Sequence, residues 1–304
     1  MLGEIFLQFF IEITKLMSLN IFLFYCVFYV RYSFSHNKVC VCTIGKEENK
    51  YAREFVEHYK KYGIDKIFIY DNNDSNGENF YEILNDYIKS GFVKIINVRG
   101  KLKMQYPSHN HCYEKNKDSY DWFIFYDMDE FIHLTNFTNI KDFLSNKTFD
   151  KCTVIYLNQF IHTDNDQIYY YNKSLFERFP NSTLNYNKTL GITKIILRGH
   201  LPKIKIINPH ILKNEYECNS IGKLNNLKIK DLYNNDFYYD HFLTKSSEEY
   251  LNKLLRGDAV VGEKKGFNLK WFQYYFAINK ITKEKIDFFE NKTGVNLSIY
   301  RNFT

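Results

Sequence analysis

The sequence predicts an α/β protein, a mixed sheet flanked by helices, preceded by an N-terminal transmembrane helix. Three observations predict it. Apolar strand patterns alternate with helical patterns from Val39 to Tyr126, which implies parallel strands joined by right-handed crossovers. Each of those strand patterns runs out into polar residues, so one edge of the sheet is chemically equipped. Residues 5–30 are mostly apolar, and with tilt such a run crosses a bilayer if Glu12 and Lys15 reach out to the interface.

The elements follow in order. Residues 1–31 read as an uncleaved single-pass membrane anchor, because no small-residue cleavage site follows the apolar run. Residues 32–38 are a short polar linker, and residues 39–304 the folded domain. Val39–Ile44 is an apolar strand. Lys46–Tyr62 is a helix, with Ala52, Phe55, Val56 and Tyr59 at helical spacing and Gly63 as its stop. Ile64–Tyr70 is the second strand, followed by the dense turn cluster Asp71–Gly77. Phe80, Ile83, Leu84, Tyr87 and Ile88 mark a helix, and Phe92–Val98 a third strand. Gln105–Lys117 is a weaker helix, expected to break near Pro107, and Trp122–Tyr126 is the fourth strand. Beyond Phe131 the alternation fades. A short helix at Ile140–Leu144, a strand at Lys151–Leu157, a polar loop at Asn158–Tyr171 and strands at Ile192–Arg198 and Ile204–Ile207 are expected. Phe237–Phe242 is an aromatic run enclosing Asp240 and His241. Ser246 opens a helix with Glu249 three residues on, a capping box, and Leu269–Ile278 and Lys283–Thr293 are helical.

Composition bounds the partners. Lys and Arg exceed Asp and Glu by a formal charge of +6 but are scattered. No basic block, zinc-finger spacing or RNA-binding aromatic signature occurs, which excludes nucleic acid as a partner. Of the six cysteines, Cys40 and Cys42 share one strand face and read as buried thiols. A disulfide among Cys112, Cys152 and Cys218 fits, with its connectivity open. Asn-x-Ser/Thr sequons at Asn136, Asn146, Asn172, Asn181, Asn187, Asn291, Asn296 and Asn302 point to a lumenal, glycosylated domain. The flanking charges Lys15, Arg31 and Lys38 do not decide the orientation of the anchor; the positive-inside rule alone would favour the cytosol. The lumen of the ER or Golgi is the expected compartment in a eukaryote.

The chemistry is expected at Asp121–Phe131. A buried aromatic strand ends abruptly in Asp127, Asp129 and Glu130, charges that do not belong in a core unless paired or metal-bound. In extended chain Asp127 and Asp129 point to one side, and two hard oxygen ligands suit Mn²⁺ or Mg²⁺ with a substrate phosphate completing the shell. No glycine-rich phosphate loop lies at any strand end, so a metal takes that task. His109 and His111 read as surface residues of a broken helix, and the basic stretch Lys194–Lys213 as solvated strand faces.

Four stretches resemble glycosyltransferase family 92 and its family-2-like relatives. They are Glu48–Gly63 with Ile67–Asn72, Gln105 with Cys112, Trp122–Phe131, and His241–Ser246 continuing through Lys253 to Arg256-Gly257. The likeness covers about residues 39–257. It implies a GT-A, Rossmann-like fold and transfer of a sugar from a nucleotide donor, usually UDP-linked, to a glycan hydroxyl. Carried over residue by residue, Asp127 and Asp129 bind the metal, with Asp127 also beside the donor. His241 is a third ligand or phosphate contact, and Asp71 holds the nucleoside with the Thr43–Glu47 turn beside it. Where the family often has Phe-Gly after its fifth strand, this chain has Phe160-Ile161-His162, which leaves the acceptor side open.

Such a transfer passes through an oxocarbenium-like transition state, and the charge on the leaving diphosphate must be neutralised. An inverting enzyme also needs a carboxylate to deprotonate the acceptor hydroxyl. The candidates are Asp164, Asp166 and Glu130, with Asp164 favoured because it follows the fifth strand. Two rival readings stand beside this one. A phosphohydrolase would use Asp127 as nucleophile and Asp129 as acid/base, but Phe131 occupies the place where that motif has Thr or Val. An anchored sugar-binding protein without turnover would bind glycan regardless of chelator.

Overall fold

The computed structural model describes residues 37–184, 193–210, 212, 216–225, 227–257 and 267–303. The expected anchor at 1–31 and most of the linker at 32–38 lie outside the described residues. Among the described residues no helix is long and apolar enough to cross a membrane.

The first half follows the expected alternation: β1 (Val39–Gly45), α1 (Asn49–Lys61), β2 (Lys66–Asp71), α2 (Phe80–Lys89), β3 (Val93–Asn97), α3 (Gln105–Asn116) and β4 (Trp122–Ile124). β1 is buried along its whole length, as an unbroken apolar run flanked by strands on both sides must be. It pairs in parallel with β2 and with β4, and β2 pairs in parallel with β3. α1 buries Tyr51, Ala52, Phe55, Val56 and Tyr59, one stripe of the helix. It starts three residues later than the sequence suggested, so Glu47 and Glu48 belong to the turn after β1. The chain leaves α1 through Gly63 at φ +78°, a left-handed conformation that suits glycine. α3 is unbroken. Pro107 sits in its first turn, where no intrahelical N–H partner is needed.

The second half departs further from expectation. It comprises β5 (Glu130–Leu134), α4 (Ile140–Leu144), β6 (Val154–His162), α5 (Leu175–Arg178), β7 (Ser182–Leu184), β8 (Thr193–Arg198), β9 (Glu217–Asn219), β10 (Phe237–His241), α6 (Ser247–Arg256), α7 (Leu269–Phe276) and α8 (Lys283–Thr293). The sheet order is β3-β2-β1-β4-β8-β6-β10-β5, with β7 and β9 also against β6. β8 runs antiparallel to β4 and β6, and β5 antiparallel to β10, so the sheet is mixed. β6 continues through Asn158–His162, where a polar loop was expected. Its buried polar side chains find partners: Asn158 Oδ1 accepts from the Asn234 N–H, Gln159 meets His241, and His162 meets Asp240 at 2.7 Å, while Asn158 Nδ2 has none. Ile204–Ile207 is not a strand. Lys203 at φ +54° and Pro209 bracket it, and Ile206 is tied instead to Asn110 of α3.

Apolar clusters cover both sheet faces. One gathers Phe55, Ile69, Tyr126 and Phe242, and the other Cys42, Phe68, Phe123 and Ile195. A third lies among α6, α7 and α8, around Tyr250, Phe272, Tyr275 and Phe289. Two disulfides staple the fold. Cys42 of β1 joins Cys112 of α3, and Cys152 joins Cys218 of β9. Cys42 is therefore not a thiol, whereas Cys40 is buried and free as expected.

Candidate active site

The parallel strands deliver their carboxyl ends to one edge, and there β4 gives way to a tight turn. The Asp127 N–H donates to Glu130 Oε2 at 2.9 Å, and the Glu130 N–H to the Asp127 carbonyl at 3.0 Å. Asp127 and Asp129 therefore sit in a turn rather than in extended chain. Both still line a cleft of about 530 Å³, together with Glu130 and His241. The cleft also takes in Gly45 and Lys46 after β1, Asn72 after β2, Gln105 of α3, and Lys253 and Arg256 of α6.

Each acid here is countered. Lys194 of β8, fully buried, places Nζ 2.7 Å from Asp127 Oδ2 and 2.9 Å from Glu130 Oε2. Gln105 donates to the other Asp127 oxygen at 3.0 Å. Lys253 Nζ lies 2.7 Å from Asp129 Oδ2 and Lys245 Nζ 3.6 Å from it. Arg256 holds Glu48 and also donates to the carbonyls of Lys46 and Glu47, pinning α6 to the end of β1. Among the described residues Glu48, Asp127, Asp129 and Glu130 thus interlock with Lys194, Lys245, Lys253 and Arg256.

The electrostatics differ from acid to acid. Burial pushes Glu130 up to about 8, with Asp127 and Asp129 adding to the rise and Lys194 only partly offsetting it. Burial would also raise Asp129, but Lys253 and Lys245 hold it well below the usual carboxylate range. Asp127 is likewise kept low by Lys194 against its burial. Burial lowers Lys194, and the two carboxylates more than reverse that, so its ammonium is permanent. Burial drops His241 to about 3, so its imidazole is neutral. Its Nδ1 sits 2.8 Å from Gln159 Oε1 and carries the proton. Nε2 then turns a lone pair toward Asp129 Oδ1 at 3.7 Å and Glu130 Oε1 at 3.8 Å. Glu130 Oε1 is buried without a hydrogen-bond partner.

That orphaned oxygen tests whether a divalent cation fits. The His241 lone pair, an Asp129 oxygen and the unpartnered Glu130 oxygen face one gap, and a cation there would satisfy all three. Hard oxygens with a neutral imidazole suit Mn²⁺ or Mg²⁺, and the Gln159 contact orients the ring as such a site requires. Among the described residues no group of three or more His, Cys, Asp or Glu side chains is placed to hold a metal ion by itself. The donor set fits by its chemistry, with ligands left for a substrate phosphate to supply.

The remaining expected residues lie elsewhere. Thr43 is buried within β1, its hydroxyl unpartnered, one residue short of the cleft lining. Glu47, at φ +53°, faces a second hollow of about 440 Å³ on the far side of Arg256. Asp71 is buried, paired to Arg99 at 2.9 Å and bonded to Asn73, and borders a separate shallow hollow. Asp164 is not brought to the cleft. It is 1 % exposed and locked by Lys285 at 2.7 Å, the Tyr275 hydroxyl and the Asn279 side chain. Lys285 also takes Asp166, so both acids anchor α8 to the end of β6. His109 is fully buried rather than on the surface, against Phe125.

The sequence profile of glycosyltransferase family 92 matches residues 37–264, more than half of the chain. The chain belongs to glycosyltransferase family 92. A family 92 protein of Oryza sativa subsp. japonica is 30% identical over 110 residues, 36% of this chain and 18% of the relative. One of Ricinus communis is 27% identical over 112 residues, 37% of this chain and 20% of the relative. The matched stretch thus spans about a fifth of the length of these curated relatives. Among solved structures, S. aureus TarS 1–349 in complex with UDP is similar at a TM-score of 0.34 and 16% identity, over 53% of this chain and 46% of that one. That likeness is too remote to carry an argument. The family 92 assignment sets aside the phosphohydrolase alternative, and every stretch that suggested the family falls within the matched residues.

Proposed function

We propose that this family 92 chain transfers a sugar from a UDP-linked donor to a hydroxyl of a glycan on a GT-A fold. One observation carries the reading: the interlocked acids and cations around Asp127 and Asp129, in a cleft at the carboxyl ends of parallel strands. A diphosphate brought there meets the ammonium of Lys253, a side chain 30% exposed at the cleft wall, and the backbone of the Gly45–Lys46 turn. Asp127, Asp129 and His241 would hold Mn²⁺ or Mg²⁺. Bound there, the ion neutralises charge on the leaving diphosphate.

The chain's own residues prepare that step. Lys194 and Gln105 hold Asp127 in place, and Lys253 and Lys245 hold Asp129. Gln159 keeps the His241 ring aimed. Of the three acids named for proton abstraction in an inverting transfer, Glu130 lines the cleft, whereas Asp164 and Asp166 are engaged by Lys285.

We also infer a lumenal, membrane-anchored protein. The two disulfides suit an oxidising compartment, and Asn136, Asn146, Asn172, Asn181, Asn291, Asn296 and Asn302 are exposed for glycosylation. The test uses the full chain and a panel of UDP-sugars. At least one should raise its melting temperature only with Mn²⁺ or Mg²⁺ present, and UDP should be released when glycan is added. A panel without any metal-dependent shift would overturn the proposal.

A further inference from the structure

The two ends of the cleft differ in chemistry. At the β1 and β2 end stand Lys46, Asn72 and Arg256, all polar. At the β10 end stand Leu243, Tyr250, Trp271 and Tyr274 beside His241. α7 builds this second wall. Phe272, Tyr275 and Phe276 turn inward to the third core cluster; Trp271, partly buried against that cluster, and Tyr274, one turn on, line the cleft. The wall is held firmly. The Tyr250 hydroxyl donates to the Trp271 carbonyl at 2.8 Å, and the Tyr275 hydroxyl meets Ser247 at 3.0 Å. Both contacts fall in the first turn of α6, the end next to β10 and away from Arg256.

We propose that Trp271 and Tyr274 form the platform on which the acceptor sugar ring stacks. This rests on the sugar-transfer reading. A pyranose presents a face of C–H bonds and a rim of hydroxyls, and an aromatic plate edged by polar groups meets both. Here the plate is Trp271 with Tyr274, and the Tyr274 hydroxyl is its polar edge. The acceptor rather than the donor sugar fits this end. The sugar-transfer reading sets the diphosphate against the Gly45–Lys46 turn and Asp129, and the attacking hydroxyl of an inverting transfer would arrive from the side opposite the leaving group. α7 also lies beyond residues 37–264, so this plate comes from outside the segment matched by the family profile.

The experiment is saturation-transfer NMR on the full chain with UDP and diamagnetic Mg²⁺. The probes are the methyl β-pyranosides of glucose, galactose and N-acetylglucosamine, each at millimolar concentration. At least one should receive saturation on its ring protons. That signal should fall at least fivefold in Trp271→Ala and in Tyr274→Ala, while Trp271→Phe keeps at least half of it. Undiminished saturation in Trp271→Ala overturns the platform. So does a wild-type chain that UDP stabilises but that saturates none of the pyranosides. A chain that UDP fails to stabilise with either Mn²⁺ or Mg²⁺ overturns the transfer reading beneath it, and the platform falls with it.

Discussion

Lys194→Met leaves buried Glu130 and partly exposed Asp127 without their shared cation. Methionine keeps the length and apolar stem of the side chain, so the perturbation is the charge. Nζ lies 2.7 Å from Asp127 and 2.9 Å from Glu130, and the Lys194 side chain has no solvent exposure. Removing one partner of a buried ion pair typically costs about 3–5 kcal/mol. At about 2–4 °C per kcal/mol for a domain of this size, the melting temperature should fall by roughly 6–20 °C. Part of the cost is relieved by protonation, because Glu130 is already raised to about 8. The loss should therefore be larger at pH 8.5 than at pH 6. Thermal unfolding of wild type, Lys194→Met and the triple variant Lys194→Met/Asp127→Asn/Glu130→Gln measures it. The triple variant should recover most of the loss, since it carries no uncompensated charge. A drop in Lys194→Met under about 2 °C at both pH values would refute the reasoning, given the conversion used above.

The other perturbations probe separate parts of the account. Glu130 has a folded value of about 8 against an ordinary 4.5, so its contribution to stability is complete below pH 4.5 and is lost as the pH rises through 8. Glu130→Gln does not titrate, so its stability relative to wild type should climb between pH 5 and pH 8 by up to about 5 kcal/mol; a flat difference in melting temperature contradicts the shift. Lys285→Met should destabilise the chain by about 3–5 kcal/mol through stranded Asp164 while leaving UDP-sugar affinity intact; weakened affinity would return Asp164 to the site. Reducing the disulfides opens loops with sequence separations of 70 and 66 residues. Each should cost about 4 kcal/mol on chain-entropy grounds, read as a fall in denaturation midpoint with dithiothreitol.

What could be read from sequence followed the physics of burial. Val39–Gly45 and Trp122–Tyr126 are continuous apolar runs, and such runs belong inside a sheet: β1 lies between two parallel neighbours, and β4 between parallel β1 and antiparallel β8. Asp127 and Asp129 stood out because charges at the end of a buried run need a reason. The same signal was present at Lys194, a lone cation in Thr193–Leu197, and averaging it into a basic stretch hid it. β5 was missed because Glu130 opens it, and a buried carboxylate looks like a loop residue until Lys194 is seen across the sheet. Asn158–His162 was taken for a loop because its polar side chains find their partners in β10 and at Asn234, distant in sequence. Asp164 illustrates the converse error. An acid just past a strand looks catalytic, and only the fold shows that Lys285, 121 residues on, has claimed it. Long-range pairings of this kind carry no local periodicity.

The central claim is that Asp129 and its neighbours join a divalent cation to a nucleoside diphosphate. Electron paramagnetic resonance of Mn²⁺ reads this directly, because the free ion's signal collapses on binding. With the full chain and UDP together, the free signal should fall well below that with UDP alone, and Asp129→Ala should restore the UDP-alone level. An equal loss of free Mn²⁺ in Asp129→Ala and wild type would contradict the account.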